Sequence, residues 1–422
     1  AGGGRLRGYR ARCGEVFGTR TYGMGAQHQA AKQEKSLRAT QGSRAVSDAP
    51  PRQPTSQADA NSRRAAATLA LTLPSDTVLY LLLPMYAPSF GVSLAEAGVL
   101  LAANRLVRIL GYGWVARFYA RNGDRPACML AAAATVICAI GYATLSGFWA
   151  LLPMRLLWGL SFAALNLSTQ TMSTSDPNGA ARRNGRSRAV ISIGPVLALP
   201  AGAVLAQLWG PRAIFLVLAV TALIAVWVAH RLPGESHPAP AAKRRLSLPG
   251  SLDLWSFLEG FTMDGLFIIG LSYLGKDVLP TGSVVVAGTV LALRYLGEIT
   301  LSPLGGHLAD RLGAERMLLW LSMVTAVALI GFGAGWLWSC AAAIVVLRAL
   351  QLPLLPPIVA RRTPGPGRVQ ALAKRSVWRD IGAGTGPMLA GLVLPVVSPF
   401  WVYLVPAVLL AAAAVACVRT AD

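Results

Sequence analysis

Acidic residues are scarce in this chain: 18 Asp and Glu stand against 39 Lys and Arg in 422 residues, and charged residues of both signs make up only 14%. So low a charge density, with 54% hydrophobic residues and a mean hydropathy of +0.51, excludes a water-soluble globule of this size. Cysteine is equally sparse. The five present (Cys13, Cys128, Cys138, Cys340, Cys417) form no Cys-x-x-Cys pair, and four lie in or beside apolar runs. They read as small buried packing residues, not as a redox or metal centre. The four histidines (His28, His230, His237, His307) lack any His-Glu-x-x-His spacing, so no metal is expected. There is no Gly-x-x-x-x-Gly-Lys-Ser/Thr phosphate loop for ATP coupling, no nucleophile and base pair that would suggest an enzyme, and no reason to expect a cofactor. The short alternating segments of an outer-membrane barrel are absent as well.

The formal net charge of +21 does not point to nucleic acid, because the basic residues are spread over many short segments between apolar runs, as topology signals are. The sequon Asn166-Leu167-Ser168 falls inside such a run and is not a glycosylation site there. What the chain has in abundance is apolar stretches near the roughly 20 residues that a bilayer-crossing helix needs. Twelve are expected, at about 66–88, 93–116, 126–146, 148–172, 189–209, 213–231, 252–275, 283–304, 315–335, 337–359, 376–397 and 399–419. The fold class is therefore an all-α membrane protein in a lipid bilayer. Residues 1–65 differ sharply: the first 64 carry twelve Lys and Arg, few acids and no apolar periodicity, and predict a disordered tail. This tail has a faint likeness to an organellar transit peptide, but reads more simply as an upstream extension, with Met24 as an alternative start.

The longest polar break in the apolar region, residues 232–250, divides two groups of six spans, 66–231 and 251–419. Loops after spans two, four, six, eight and ten hold Arg117, Arg121 and Arg125; Arg182, Arg183, Arg186 and Arg188; Lys243 to Arg245; Arg311 and Arg316; and Arg361, Arg362 and Arg368. Opposite loops hold little beyond Arg212 and Lys276, so the positive-inside rule puts both termini in the cytoplasm of a multi-pass protein of the bacterial inner membrane. The halves also repeat. Arg155 and Arg348, Arg117 and Asp310, and Arg105 and Glu298 are each 193 positions apart, and Gly194-Pro195 in span five has a counterpart, Gly386-Pro387, in span eleven.

These residues resemble the major facilitator superfamily. GGHLADRLGAER, from Gly305 to Arg316, is similar to its loop signature between spans eight and nine, with Gly306, Asp310, Arg311, Gly313 and Arg316 as the gating positions. The first copy, from Gly111 to Arg125, is degraded and has Arg117 where the family usually has the acid. Arg155 with Gly159 resembles the fourth-span signature, and GAGTGPMLAG, from Gly382 to Gly391, resembles the Gly-Pro bend of exporters in the family, drug and siderophore exporters of bacteria among them. The resemblance implies two six-helix bundles, a cavity lined by spans one, two, four and five and their counterparts, and alternating access by a monomer.

An ionisable group inside a bilayer faces a cavity and has a partner or a task. Asp76 lies ~15 Å into span one as drawn above, and Asp264 at a similar depth in span seven. With Glu298 they are the candidate proton carriers. Arg105 and Arg108 share one helix face, as do Arg294 and Glu298. Together with Arg155 and Arg348 these arginines are the substrate-cavity candidates. Each charge has a second reading, in which acids and bases pair and hold the halves together. Arg379 and Asp380 read as a gate pair or an interfacial anchor. Gly194, Pro195, Gly386 and Pro387 are either bends or close-packing sites. Bases at least equal acids in this set, favouring an anionic or zwitterionic cargo. The expected function is proton-coupled export of a small polar or amphiphilic organic compound. Import of a small organic acid, and a non-transporting sensor on the same fold, are the alternatives.

Overall fold

The computed structural model describes residues 55–234, 249–278 and 283–419. The expected tail up to residue 54 and most of the expected linker, residues 235–248, lie outside it, as does Cys13. Among the described residues all regular structure is helical, and twelve spans run in order. Nine stretches are long and apolar enough to cross a membrane by length and composition. Among the described residues the second and eleventh spans stand outside that set, and they carry Arg105 and Arg108, and Arg379 and Asp380. Those charges keep the two spans below the hydropathy of the rest.

Several boundaries differ from those read off the apolar runs. Span one begins at Thr55, not at residue 66, and is interrupted at Leu73, giving Thr55–Thr72 and Pro74–Met85. Pro74 has no N–H to offer the helical ladder, which accounts for the break. Span two is Leu94–Asn122, opened by a capping box between Ser93 and Glu96. Spans three and four are Asp124–Thr144 and Phe148–Ser173. Span five is Ala180–Trp209, starting about two and a half turns before the expected residue 189, and span six is Ala213–His230. Span eight, Ser283–Leu312, runs past its expected end, and span nine is Ala314–Gly333. Span ten is split into Leu337–Gln351 and Leu355–Arg362 around a Pro-rich stretch. Span eleven, Arg368–Val393, begins before the expected residue 376, and span twelve is Pro399–Arg419. Spans five and eleven start early because their first turns are Arg-rich and partly buried by neighbouring helices, a tertiary effect that hydropathy does not register.

Span seven departs furthest from expectation. Ser251–Glu259 passes into a π-helical segment, Gly260–Leu266, before resuming as Phe267–Val278. A π turn leaves carbonyls out of α register, and side chains cover them here: the Thr262 hydroxyl donates to Leu258 O at 2.7 Å and the Tyr403 hydroxyl to Leu266 O at 3.1 Å.

The apolar core of the first half joins Leu69, Tyr112, Leu165 and Ile191 on one side and Leu82, Phe90, Trp158 and Phe215 on the other. That of the second half centres on Trp255, Phe267, Leu329, Ile344 and Tyr403. Leu110, Trp114, Trp209, Trp227, Trp320 and Trp401 are exposed on the outside, an apolar girdle suited to lipid. Cys128, Cys138 and Cys417 are buried and Cys340 partly so.

Glycines set the closest helix approaches. A Cβ on Gly194 of span five would stand 2.2 Å from Ala70 O of span one, and one on Gly386 of span eleven 2.5 Å from Phe261 O of span seven. The same contact therefore occurs in both halves, and it extends along span seven, where a Cβ on Gly382 would lie 2.0 Å from Phe257 O. Spans five and eleven continue as helices through Pro195 and Pro387.

Gly386→Ala is expected to destabilise the fold by about 1–3 kcal/mol, because a backbone carbonyl cannot yield as a flexible side chain would. Gly384→Ala, with nothing within 4 Å of the added carbon, should be neutral. Thermal unfolding in detergent compares them, and equal midpoints would remove the close-packing role.

Candidate functional site

Between the halves lies a cavity of about 370 Å³. Its wall takes Asp76, Thr77 and Tyr80 from span one, Asn104, Arg105 and Arg108 from span two, Phe162 from span four, and Arg188 and Ser192 from span five. The second half supplies Asp264, Arg294, Tyr295, Glu298, Arg348, Arg379 and Asp380. Apolar surface alternates with these, notably Leu69, Leu73, Ile191, Leu199, Ile268 and Leu352.

The charged side chains form two ion-pair systems built on one plan. In the first half, Arg155 Nη1 meets Asp76 Oδ1 at 2.6 Å, and the Asn104 amide donates to the same oxygen at 3.2 Å. Arg155 is fully buried behind the wall and also donates to Leu100 O at 3.1 Å. In the second half, Arg348 Nη2 meets Asp264 Oδ1, again at 2.6 Å. In each half, then, the arginine of the fourth helix holds the acid of the first. A desolvated guanidinium demands such a partner, and its planar fork suits a carboxylate.

The second-half system is larger. Arg379 reaches Glu259 at 2.8 Å and Asp264 at 2.6 Å, Arg348 reaches Glu259 at 3.3 Å, and Arg294 reaches Asp264 at 3.3 Å and Glu298 at 3.4 Å. In an α-helix, residues five apart point ~140° away from each other. Glu259 and Asp264 are five apart, yet both bind Arg348 and Arg379. The intervening π segment, with its wider turn, is what brings the two carboxylates to one side.

Contacts between the halves flank the cavity on one side. Arg108 pairs with Asp380 at 2.9 Å, Arg105 donates to Ala383 O, and the Ser192 hydroxyl donates to Glu298 Oε2 at 2.7 Å. Further contacts follow toward the Arg-rich end, where the even-numbered loops lie. Asn184 donates to Pro353 O at 3.1 Å and Arg368 to Thr174 O at 2.6 Å. A Cβ on Gly185 would stand 2.2 Å from Ser302 O, and one on Gly306 2.2 Å from Ala181 O. Asp310 accepts from the backbone N–H of Ala181 at 3.2 Å and of Arg182 at 3.0 Å, so its carboxylate caps the first turn of span five across the two halves. There it satisfies orphan donors and faces the positive end of the helix dipole.

The degraded first loop is arranged differently. Among the described residues Arg117 donates to Gly113 O of its own helix, and the acid in this loop, Asp124, accepts from Tyr119 and from the Ser168 hydroxyl, the latter at 3.0 Å. Gly313 takes φ +92° where span eight turns into span nine, while Arg311 and Arg316 are exposed there.

Of the residues read from sequence, Asp76, Arg105, Arg108, Asp264, Arg294, Glu298 and Arg348 line the cavity, and Arg155 stands directly behind Asp76. Gly194 and Gly386 lie at helix packing contacts outside it. Two placements correct the sequence reading. Arg188, taken as a loop charge, lines the cavity because span five begins at Ala180. Arg379 and Asp380 likewise sit three turns into span eleven, not at its interfacial start. A helix pattern that followed Arg375, Arg379 and Asp380 as one polar stripe, instead of waiting for the apolar run, would have found them.

The family model described as Major Facilitator Superfamily matches residues 65–274 and 252–422. No curated protein matches the chain. Similar solved structures include the human organic anion transporter MFSD10 (TETRAN), with a TM-score of 0.68 and 19% identity, covering 87% of this chain and 100% of that one. The proton:xylose symporter XylE, bound to 6-bromo-6-deoxy-D-glucose, gives a TM-score of 0.71 at 13% identity, covering 87% and 96%. A bacterial homologue of the iron transporter ferroportin gives 0.66 at 15%, covering 86% and 99%.

Replacing Asp264 by Asn leaves three arginines sharing one fewer anion in a desolvated wall, and should destabilise the protein by about 3–5 kcal/mol. Adding Arg348→Gln should recover part of that loss. If Asp264→Asn unfolds at the wild-type midpoint, the network does not hold the second half together.

Proposed function

The chain belongs to the major facilitator superfamily and is a multi-pass membrane transporter, not an enzyme, and from that premise we propose that it is a secondary active, proton-coupled exporter of a small polar or amphiphilic organic compound. The observation that carries the reading is the cavity itself: charged groups from both halves converge on a space closed off by inter-half contacts toward the Arg-rich end. Siderophores and drugs are the candidate cargo classes. The two six-helix bundles, residues 66–231 and 251–419, rock about this site as a monomer, with the Arg-rich loops and both termini on the cytoplasmic face of a bacterial inner membrane. In that orientation the end closed by these contacts is the cytoplasmic one.

Among the three candidate proton carriers, the contacts favour Glu298. Asp76 is held by Arg155 at 2.6 Å, and Asp264 has three arginines around it. Among the described residues Glu298 has one ion-pair partner, Arg294 at 3.4 Å, and spends its other oxygen on a serine hydroxyl of the opposite half. A proton arriving there alters the hydrogen bond between spans five and eight, which links loading to movement of the halves. Import of a small organic acid stands as a second reading, favoured by the excess of arginine in the wall.

Proteoliposomes under an imposed pH gradient, assayed with a panel of hydroxamate and carboxylate siderophores and amphiphilic drugs, test the proposal. Glu298→Gln should lose gradient-driven flux at least tenfold while keeping solute exchange. Asp76→Asn should lose both, because Arg155 is left without its anion. Gradient-driven flux retained in Glu298→Gln removes that residue from coupling, and no flux of any solute in the wild type favours a sensor. Asp310→Asn should slow turnover with substrate affinity kept, and an unchanged rate counts against the helix cap as a gate.

A further inference from the structure

Matching each charge at the cavity to its partner leaves a remainder. Arg155 pairs with Asp76, and Arg108 with Asp380. Arg294, Arg348 and Arg379 share Glu259, Asp264 and Glu298. Every carboxylate is thereby engaged. Two arginines of the wall, Arg105 and Arg188, have no ion-pair partner among the described residues. Arg105 donates only to the Ala383 carbonyl, and Arg188 makes no hydrogen bond to any described residue. Each belongs to the first half, on span two and span five, and the cavity lies between them and the second-half network.

We propose that Arg105 and Arg188 form the anion-recognition site of this transporter, taking a carboxylate, hydroxamate or other oxyanion group of the cargo, with Arg188 the specificity-determining residue. This rests on the transport reading for its physiological meaning, but its physical basis is independent. Both guanidinium groups are half-buried, and the acids whose charges reach them, Glu298 and Glu259 for Arg188 and Asp264 and Asp380 for Arg105, are already held by other arginines, so each is only partly compensated in the same cavity. An anion entering between them supplies the missing partner, and the planar fork of each guanidinium can hold two oxygens at once. Phe162, Ile191 and Leu199 give the rest of such a ligand an apolar wall, so the site fits an amphiphilic anion better than a bare ion or a sugar. A lipophilic cation meets two unpaired positive charges and is disfavoured. The empty site carries its own consequence: closing both ends over two partly compensated arginines is costlier than closing them over an ion pair. The loaded carrier therefore crosses more readily than the empty one.

The test uses the full chain in nanodiscs at constant ionic strength, with inorganic sulfate as the probe and thermal unfolding as the readout. A chloride-matched series serves as control, because sulfate also stabilises proteins by exclusion from their surfaces. The wild type should show a saturable rise in midpoint with sulfate beyond the chloride series. In Arg188→Gln and Arg105→Gln this saturable part should fall at least tenfold in apparent affinity, while Arg188→Lys keeps it. At low salt Arg188→Gln should unfold at or above the wild-type midpoint, since it removes a partly compensated charge, whereas a purely structural arginine would give a drop. A wild type without a saturable sulfate response, an unaltered response in Arg188→Gln, or a lowered midpoint of that variant in the absence of anions each overturns the proposal. Equilibrium binding needs no flux, so a protein that binds sulfate through Arg188 but moves no solute sinks the transport reading and leaves this one standing.

Discussion

Charge inside a hydrocarbon layer has nowhere to go except to another charge, and this protein's interior is arranged around that constraint. Arg155 and Arg348 are each almost wholly shielded from solvent, at 0% and 4% exposure, and each has an aspartate of the first helix in its half 2.6 Å away, Arg348 having Glu259 besides. These two pairs fix the distance between first and fourth helices. Around that frame the glycines of spans five and eleven let backbones touch, and the apolar residues fill what remains. The cavity is the space left where the paired charges of the two halves face each other.

The duplication is thus a duplication of chemistry as well as of register, but it is not exact, and the differences fall at the working parts. At the cavity the second half has a three-arginine, three-acid network, and the first, among the described residues, a single pair within itself. Asp310 caps a helix of the other half, while Asp124 in the first loop accepts from Tyr119 and Ser168 of its own half. Closure at the Arg-rich end therefore rests on one inter-half cap supplemented by the contacts of Arg108, Asn184 and Arg368.

Much of this was legible in the residues. Apolar length gave twelve spans, and the rarity of intramembrane charge singled out Asp76, Asp264, Glu298 and five arginines, of which all but Arg155 reach the cavity wall directly. Hydropathy failed where a helix begins polar: Arg188, Arg379 and Asp380 were placed at edges because apolar runs define a span by what lipid touches, not by where the backbone starts to coil. The break at Leu73 was hinted at by Pro74. No local signal marks Gly260–Leu266 as a π segment, since its geometry follows from packing against span eleven and from the arginines that draw Glu259 and Asp264 together.

That segment has a torsional meaning. A π turn stores one residue more than an α turn, so rewinding it to α geometry turns everything beyond it by ~100° about the helix axis. Asp264 sits within it, and Phe267–Val278 beyond it, so the aspartate cannot be swung off its arginines by that rewinding without screwing the outer part of span seven round with it. The ion pairs and the rotational phase of the helix are a single mechanical variable, like a key and the wards that hold it.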